Sequence, residues 1–141
     1  MRISLKDVCK RYGDIAVFHN LNMTIREGEV TCLLGPSGCG KTTLLNLISG
    51  LTKPDSGSII QEPEGRISYI FQEQRLLPWK NAFENVHYVI PDTVPKEEKK
   101  RITAFYLGET GLAEFHHLLP HELSGGMQRR VSIARAFAYP S

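Results

Sequence analysis

The amino-acid sequence predicts an α/β fold in which antiparallel N-terminal strands lead into a core built on a parallel sheet, followed by a helical segment. Three observations carry that expectation. Ile3 and Leu5 begin an imperfect alternation that runs to the turn-forming "RYGD" of residues 11–14. "VTCLLG", residues 30–35, is a continuous apolar run, the pattern of a strand covered on both faces, and it breaks into glycines before apolar positions resume at helical spacing. From Lys96 to Arg130 the residues are mostly helix formers, interrupted at Gly108, Gly111 and Pro120.

Each element follows from its local chemistry. After the turn, "IAVFHNLNMTIREGE" reads as two short strands around Asn20. Lys41 to Ser49 reads as a helix with Leu44, Leu45 and Ile48 on one side and Gly50 placed to end it. "PDSG" makes a turn, "GSII" and "RISYIFQ" read as further strands, and "QEQRLLPW" is a loop closed at Pro78. Asn81 with Glu84 three residues on has the form of a helix cap, and "PKEEKKR" reads as a solvated helix face. The expected division is an α/β core over 1–80, a helical subdomain over 81–122, and a last helix with its start over 123–138. No internal repeat or low-complexity tract interrupts it.

At 141 residues with 41% hydrophobic and 23% charged content, the chain has the composition of one globular domain. A formal charge of +2, from basic residues scattered along the chain, gives no footprint for nucleic acid. There is no apolar stretch of about 18 residues, and the N-terminus does not open a secretory signal, so the expectation is a cytoplasmic chain. Cys9, Cys32 and Cys39 lack C-x-x-C spacing and read as free thiols. His116, His117 and His121 have no partner ligand at matching spacing and read as solvated or packing residues.

The glycine break is the most specific feature. Gly35-Pro36-Ser37-Gly38-Cys39-Gly40-Lys41-Thr42 satisfies G-x-x-x-x-G-K-[ST] between a predicted strand and a predicted helix, the context that this phosphate-binding pattern requires. Backbone amides of residues 38–43 can wrap a β-phosphate, with the helix starting near Lys41 adding the positive end of its dipole. Lys41 supplies a mobile positive charge for the β- and γ-phosphates, the Thr42 hydroxyl is placed to complete the coordination of Mg²⁺, and Thr43 assists through its backbone and hydroxyl. Cys39 lies inside this loop, so alkylating it is expected to block nucleotide binding. A second helix start suited to an anion is "LSGGMQRR", residues 123–130: Ser124 is a good N-cap, Gly125 and Gly126 bare the backbone, and Met127 to Ala138 reads as a helix.

In order and spacing, "GPSGCGKTT", "YIFQ" and "LSGGMQRRVSIARA" resemble the nucleotide-binding subunit of ATP-binding cassette (ABC) transporters, a P-loop NTPase fold. "FQEQRLLPWKNAFENV" is most similar to the nitrate, sulfonate and taurine importer group. The resemblance implies that Tyr12 stacks on adenine and that Gln72 contacts Mg²⁺ and water from a loop that moves as the helical segment rotates. It implies catalytic roles for Lys41 and Gln72, and it counts Gln128 with Ser124, Gly125 and Gly126 among the nucleotide contacts. It further implies that Ser124, Gly125 and Gly126 meet the γ-phosphate held by a second ATP-binding subunit, so that a homodimer sandwiches two ATP molecules. Loop 72–80 and the helices after it would face integral-membrane permease subunits served by an external solute-binding protein, at the cytoplasmic face of the membrane.

Hydrolysis asks for an acidic residue ending an apolar strand and a carboxylate beside the attacking water. "YVIPD", residues 88–92, is the nearest candidate, and Pro91 and its place before "LSGG" argue against it. The family pattern sets that strand, its glutamate and a later histidine just past "RAFAYPS", so Ser141 reads as a truncation point and the fold as C-terminally incomplete. The expectations are a last helix with no sheet to bury against and a chain that binds ATP without appreciable turnover. The alternatives are an ABC-type ATPase switch outside transport and a binding module without hydrolysis.

Overall fold

A computed structural model describes residues 1–140; Ser141, the residue read as a truncation point, lies outside the described residues. The chain forms two compact units, Met1–Ile67 and the residues from Ser68 on.

In the first unit, β1 (Arg2–Tyr12) and β2 (Ile15–Ile25) form an antiparallel hairpin around the turn at Gly13 and Asp14, and β3 (Ser56–Glu62) pairs with the other edge of β1. The sheet order is β2-β1-β3. The imperfect alternation in β1 has a physical cause. Asp7 has a left-handed backbone, φ 50°, and the pairing register slips there. Ile3 and Leu5 face inward before the slip, and Val8 and Lys10 after it. The Asn22 side chain locks the bulge, accepting from Asp7 N at 3.0 Å and donating to Asp7 Oδ1 at 2.9 Å. Residues 15–25 are therefore one bulged strand rather than two short ones, with Asn20 also left-handed, φ 51°.

Helix α1 (Lys41–Ile48) lies on this sheet, burying Leu44, Leu47 and Ile48 against Ile3, Leu5 and Val8. Leu45, expected on the buried side, is exposed, and Leu47 takes its place. Each fully buried side chain of this size contributes about 1.5–3 kcal/mol. The Gly50 N–H closes the helix on Leu47 O at 3.2 Å, as expected.

Two expected strands do not form. Residues 30–34 have no regular structure, and Val30 and Leu34 are 94% and 93% exposed; "RISYIFQ" is also irregular. A parallel strand needs a neighbour delivered by a long crossover, and the described residues supply none: both edges of β1 are filled by antiparallel partners. Only Leu33 of the run packs on the core.

The second unit is a small helical core. Helix α2 (Ala82–His87) has the expected capping box: Asn81 Oδ1 accepts from Glu84 N at 2.8 Å and Glu84 Oε2 from Asn81 N at 3.0 Å. Helix α3 (Lys96–Glu109) runs through Gly108 and ends before Gly111, and the expected break at Pro120 is the start of a short 3-10 turn, Pro120–Glu122. Its charge run is not wholly solvated, because Lys99 is buried and reaches Asp92 at 3.0 Å, which holds that carboxyl below the usual range. "YVIPD" is a turn rather than a strand. Helix α4 (Gly125–Ala138) buries Val131, Ala134 and Ala138 among Ala82, Val86, Leu107 and Leu112, so the last helix does have an apolar surface to pack on.

Asn85 organises the approach to α2. Fully buried, it accepts from Leu77 N at 2.8 Å and donates to the carbonyls of Leu77, Lys80 and Asn81 at 3.2, 2.8 and 3.0 Å. Replacing it by Ala strands these groups away from water, so Asn85→Ala is expected to destabilise the helical unit by about 2–4 kcal/mol in denaturant titrations. A change below about 0.5 kcal/mol, the range of an ordinary surface substitution, would show that water satisfies those carbonyls instead.

Candidate functional site

The residues expected at the site fall into two groups, one in each unit. The first unit carries Tyr12 and residues 35–43, while the second carries Gln72, Ser124, Gly125, Gly126 and Gln128.

The loop from Gly35 to Gly40 is shaped by two close approaches that exclude side chains. A Cβ on Gly35 would lie 2.7 Å from Cys39 Sγ. One on Gly40 would lie 2.7 Å from Val17 Cγ1 and 3.0 Å from Phe18 Cζ, and Gly40 has φ 95°. The loop is thereby seated against β2 with its last residue turned into the left-handed region, from which α1 starts. No side chain caps α1: its first helical bond is Leu44 N to Gly40 O at 2.9 Å, so the amides of Lys41, Thr42 and Thr43 precede any intrahelical acceptor. No acidic residue stands in that first turn. Lys41 Nζ donates to Gly35 O at 2.8 Å, to Pro36 O at 2.7 Å and to Cys39 Sγ at 3.6 Å, bracing the loop. Ser37, Gly38, Cys39 and Thr42 are exposed and Thr43 is half-buried. Bare amides, a cation and a hydroxyl together fit a polyphosphate with its metal.

Tyr12 ends β1 at the tip of the same hairpin, two residues past Lys10, whose pairing partner Phe18 touches the Gly40 approach. Its ring is half-exposed, with Lys10 Nζ 5.4 Å from the centroid. Lys10 itself is anchored by Asp55 Oδ1 at 2.8 Å and Lys53 O at 3.0 Å; that hydrogen bond, with one from Arg11 N, holds the Asp55 carboxyl below its ordinary value.

In the second unit, Ser124 Oγ accepts from Met127 N at 3.2 Å and Ser124 O from Gln128 N at 2.9 Å, so the amides of Gly125 and Gly126 remain outside the helical ladder. A Cβ on Gly125 would meet nothing within 4 Å, and one on Gly126 only Ser124 Oγ at 4.0 Å. Nothing inside the unit demands glycine at either position; what glycine leaves is open backbone. Gln128 Nε2 donates to Pro120 O at 2.8 Å and Leu123 O at 3.1 Å, holding the turn that presents Ser124. Gln72 is exposed, and its carbonyl accepts from Arg129 Nη1 at 3.3 Å.

Asn85, Arg129, Ser132 and Arg135 escaped the sequence reading, although the last three recur at a spacing of three residues along α4 and form a polar stripe. His116 Nδ1 lies 2.7 Å from Ala113 O. Among the described residues no group of histidines, cysteines and acids is arranged to hold a metal ion, and no helix is long and apolar enough to cross a membrane.

Comparison with known proteins decides the family. The ABC transporter family model matches residues 18–141. The chain belongs to the ABC transporter family. It is 42% identical over 96% of its length to the bicarbonate transport ATP-binding protein CmpD of Synechocystis, and 39% identical over 89% to the nitrate import ATP-binding protein NrtD of Synechococcus elongatus. It is 44% identical over 98% to the aliphatic sulfonates import ATP-binding protein SsuB 3 of Paraburkholderia xenovorans. It covers 53%, 49% and 53% of those proteins, so the chain spans about half the length of the curated relatives it matches. Among solved structures, the dimeric ATP-binding cassette MJ0796 in a post-hydrolysis state, bound to ADP and Pi, superposes with a TM-score of 0.85 at 33% identity. It matches over 96% of this chain and 69% of that one. The fold is thus that of an ABC ATPase cassette, α/β with antiparallel N-terminal strands and a helical subdomain.

Within this ABC-family loop, Cys39 Sγ lies 3.6 Å from Lys41 Nζ. An added group on that sulfur would occupy the loop, whereas exposed Cys32 lies outside it. Alkylation confirmed at Cys39 by mass spectrometry is expected to weaken ATP binding at least about tenfold. Affinity unchanged by that modification, or lost equally when Cys32 alone reacts, would place the nucleotide elsewhere.

Proposed function

We propose that this chain forms the nucleotide-binding part of an ATP-driven membrane importer. The observation that supports it best is that the chain carries two helix starts bared by glycine, one uncapped and braced by Lys41, the other capped by Ser124 with the amides of Gly125 and Gly126 left open. In this reading Tyr12 stacks on the adenine, the amides of Gly38 to Thr43 surround the β-phosphate, and Lys41 meets the β- and γ-phosphates. Thr42 and Gln72 are the residues that would hold Mg²⁺, which neutralises charge on the transferring phosphate when bound. Ser124, Gly125 and Gly126 face the γ-phosphate on a second copy, because one chain carries each half of such a site only once. The dimeric cassette that this chain resembles supports that arrangement.

The same reading sets the subunit at the cytoplasmic face of the membrane, held to permease subunits through loop 72–80, where Trp79 is 71% exposed. The names of the relatives, bicarbonate, nitrate and aliphatic sulfonates, favour a small oxyanion as the solute. The described residues present no apolar strand ending in an acid, and Asp92 is committed to Lys99. The reading for this polypeptide is therefore binding without appreciable turnover.

Calorimetry with ATP and Mg²⁺ tests the site. Saturable binding is expected, and Lys41→Ala is expected to weaken it by about 1.5–3 kcal/mol, the range for hydrogen bonds to a charged group. Binding of equal strength with and without the Lys41 ammonium would exclude the loop as the phosphate site.

A further inference from the structure

The chain from Ser68 to Arg75, which contains Gln72, is laced to α4. Ser68 Oγ donates to Ala136 O at 2.6 Å, Arg129 Nη1 to Gln72 O at 3.3 Å, and Ser132 Oγ to Gln74 O at 2.9 Å. Arg135 spans two successive carbonyls, reaching Gln74 O at 3.0 Å and Arg75 O at 2.9 Å. Arg75 has a left-handed backbone, φ 45°, a conformation held in non-glycine residues only where the surroundings enforce it. Two contacts enforce it: its guanidinium lies 3.9 Å from the centroid of the Phe71 ring, and its carbonyl is bound by Arg135. Immediately downstream, Asn85 holds both polar groups of the Leu77 backbone. The segment thus has bonds to the helical core along its length, where a freely moving loop would have few.

Arg135 suits this task by its shape. The planar guanidinium can donate in parallel to two neighbouring carbonyls, which an ammonium on a flexible stem does not reproduce. The group is half-buried, and Ser132 in the preceding turn of α4 binds the same Gln74 carbonyl. Its partners are main-chain oxygens, so its action on any ligand passes through the backbone of Gln72 to Arg75.

We propose that Arg135 is a positioning residue that fixes the main chain of Gln74 and Arg75 to α4, so that Gln72 and the helix start at Ser124 are carried as one body. The proposal rests on the nucleotide-binding reading in assigning Gln72 to the Mg²⁺ of the bound nucleotide. The loop with Gln72 is then an extension of α4, and contact at Gln72 with the Mg²⁺ of a bound nucleotide is transmitted to the Ser124 start without an intervening hinge.

Trypsin reads the tether directly, because cleavage after Arg75 requires that residue to leave its left-handed conformation. In Arg135→Gln, cleavage after Arg75 is expected to accelerate about tenfold while cleavage after Arg101 on α3 is unchanged; Arg135→Lys, keeping one bond, should fall between. Equal rates after Arg75 in wild type and both variants overturn the proposal, as does parallel acceleration after Arg101 in both, which marks general unfolding. Calorimetry adds a readout that structural loosening alone would not move. ADP affinity should stay within about twofold in both variants while ATP affinity falls about fivefold in Arg135→Gln, the size of a typical coupling effect. An unchanged ratio of ATP to ADP affinity also overturns it. If wild type binds neither nucleotide, the nucleotide reading fails, while the cleavage rates still decide whether Arg135 holds the loop.

Discussion

Every functional feature of the first unit depends on how closely the loop before α1 can approach its own surroundings. At Gly35 the backbone lies against the Cys39 sulfur, and at Gly40 against the Val17 and Phe18 side chains, so that a methyl group at either place would force those side chains to move. Those approaches turn the chain so that α1 begins with no cap and no acid in its first turn. Lys41 completes the device by bracing the Gly35 and Pro36 carbonyls, which would otherwise set negative ends of dipoles beside the anion site. The local field is therefore positive because of backbone placement, and one lysine reinforces it. A bulkier loop of the same charge would not reproduce it.

The helical unit obtains a comparable start by a different route. Ser124 caps its own helix, Gln128 ties back to Pro120 and Leu123, and the open space at Gly125 and Gly126 exposes amides without strain. Lys41 in one unit and the arginine stripe in the other play distinct parts: the first meets charge, whereas Arg129 and Arg135 hold main chain. This difference explains how a helix with several cations can leave its first turn to neutral groups.

How much was legible in the sequence depended on how local the cause was. The phosphate loop, the Asn81–Glu84 box and the Ser124 cap each need only a few consecutive residues, and all three local patterns could be read there. Residues 30–34 and 66–72 have strand composition, but a strand exists only with a neighbour, and composition cannot say whether one is present. The bulge at Asp7 depends on Asn22, fifteen residues away, so the alternation looked merely imperfect. Lys99 read as part of a solvated face and Asn85 was not singled out, because burial of a polar side chain is licensed by partners that periodicity does not reveal. Arg129, Ser132 and Arg135 escaped the reading because their targets are carbonyls some sixty residues earlier, which no spacing rule anticipates.

The central claim, that the bare amides from Gly38 to Thr43 encircle the polyphosphate, is tested most directly by amide NMR shifts during titration with ATP and Mg²⁺. The account predicts that Gly38, Gly40, Lys41, Thr42 and Thr43 shift together, with one midpoint, and more than any other backbone amides of the first unit. Saturable binding that leaves those five amides unmoved would contradict it.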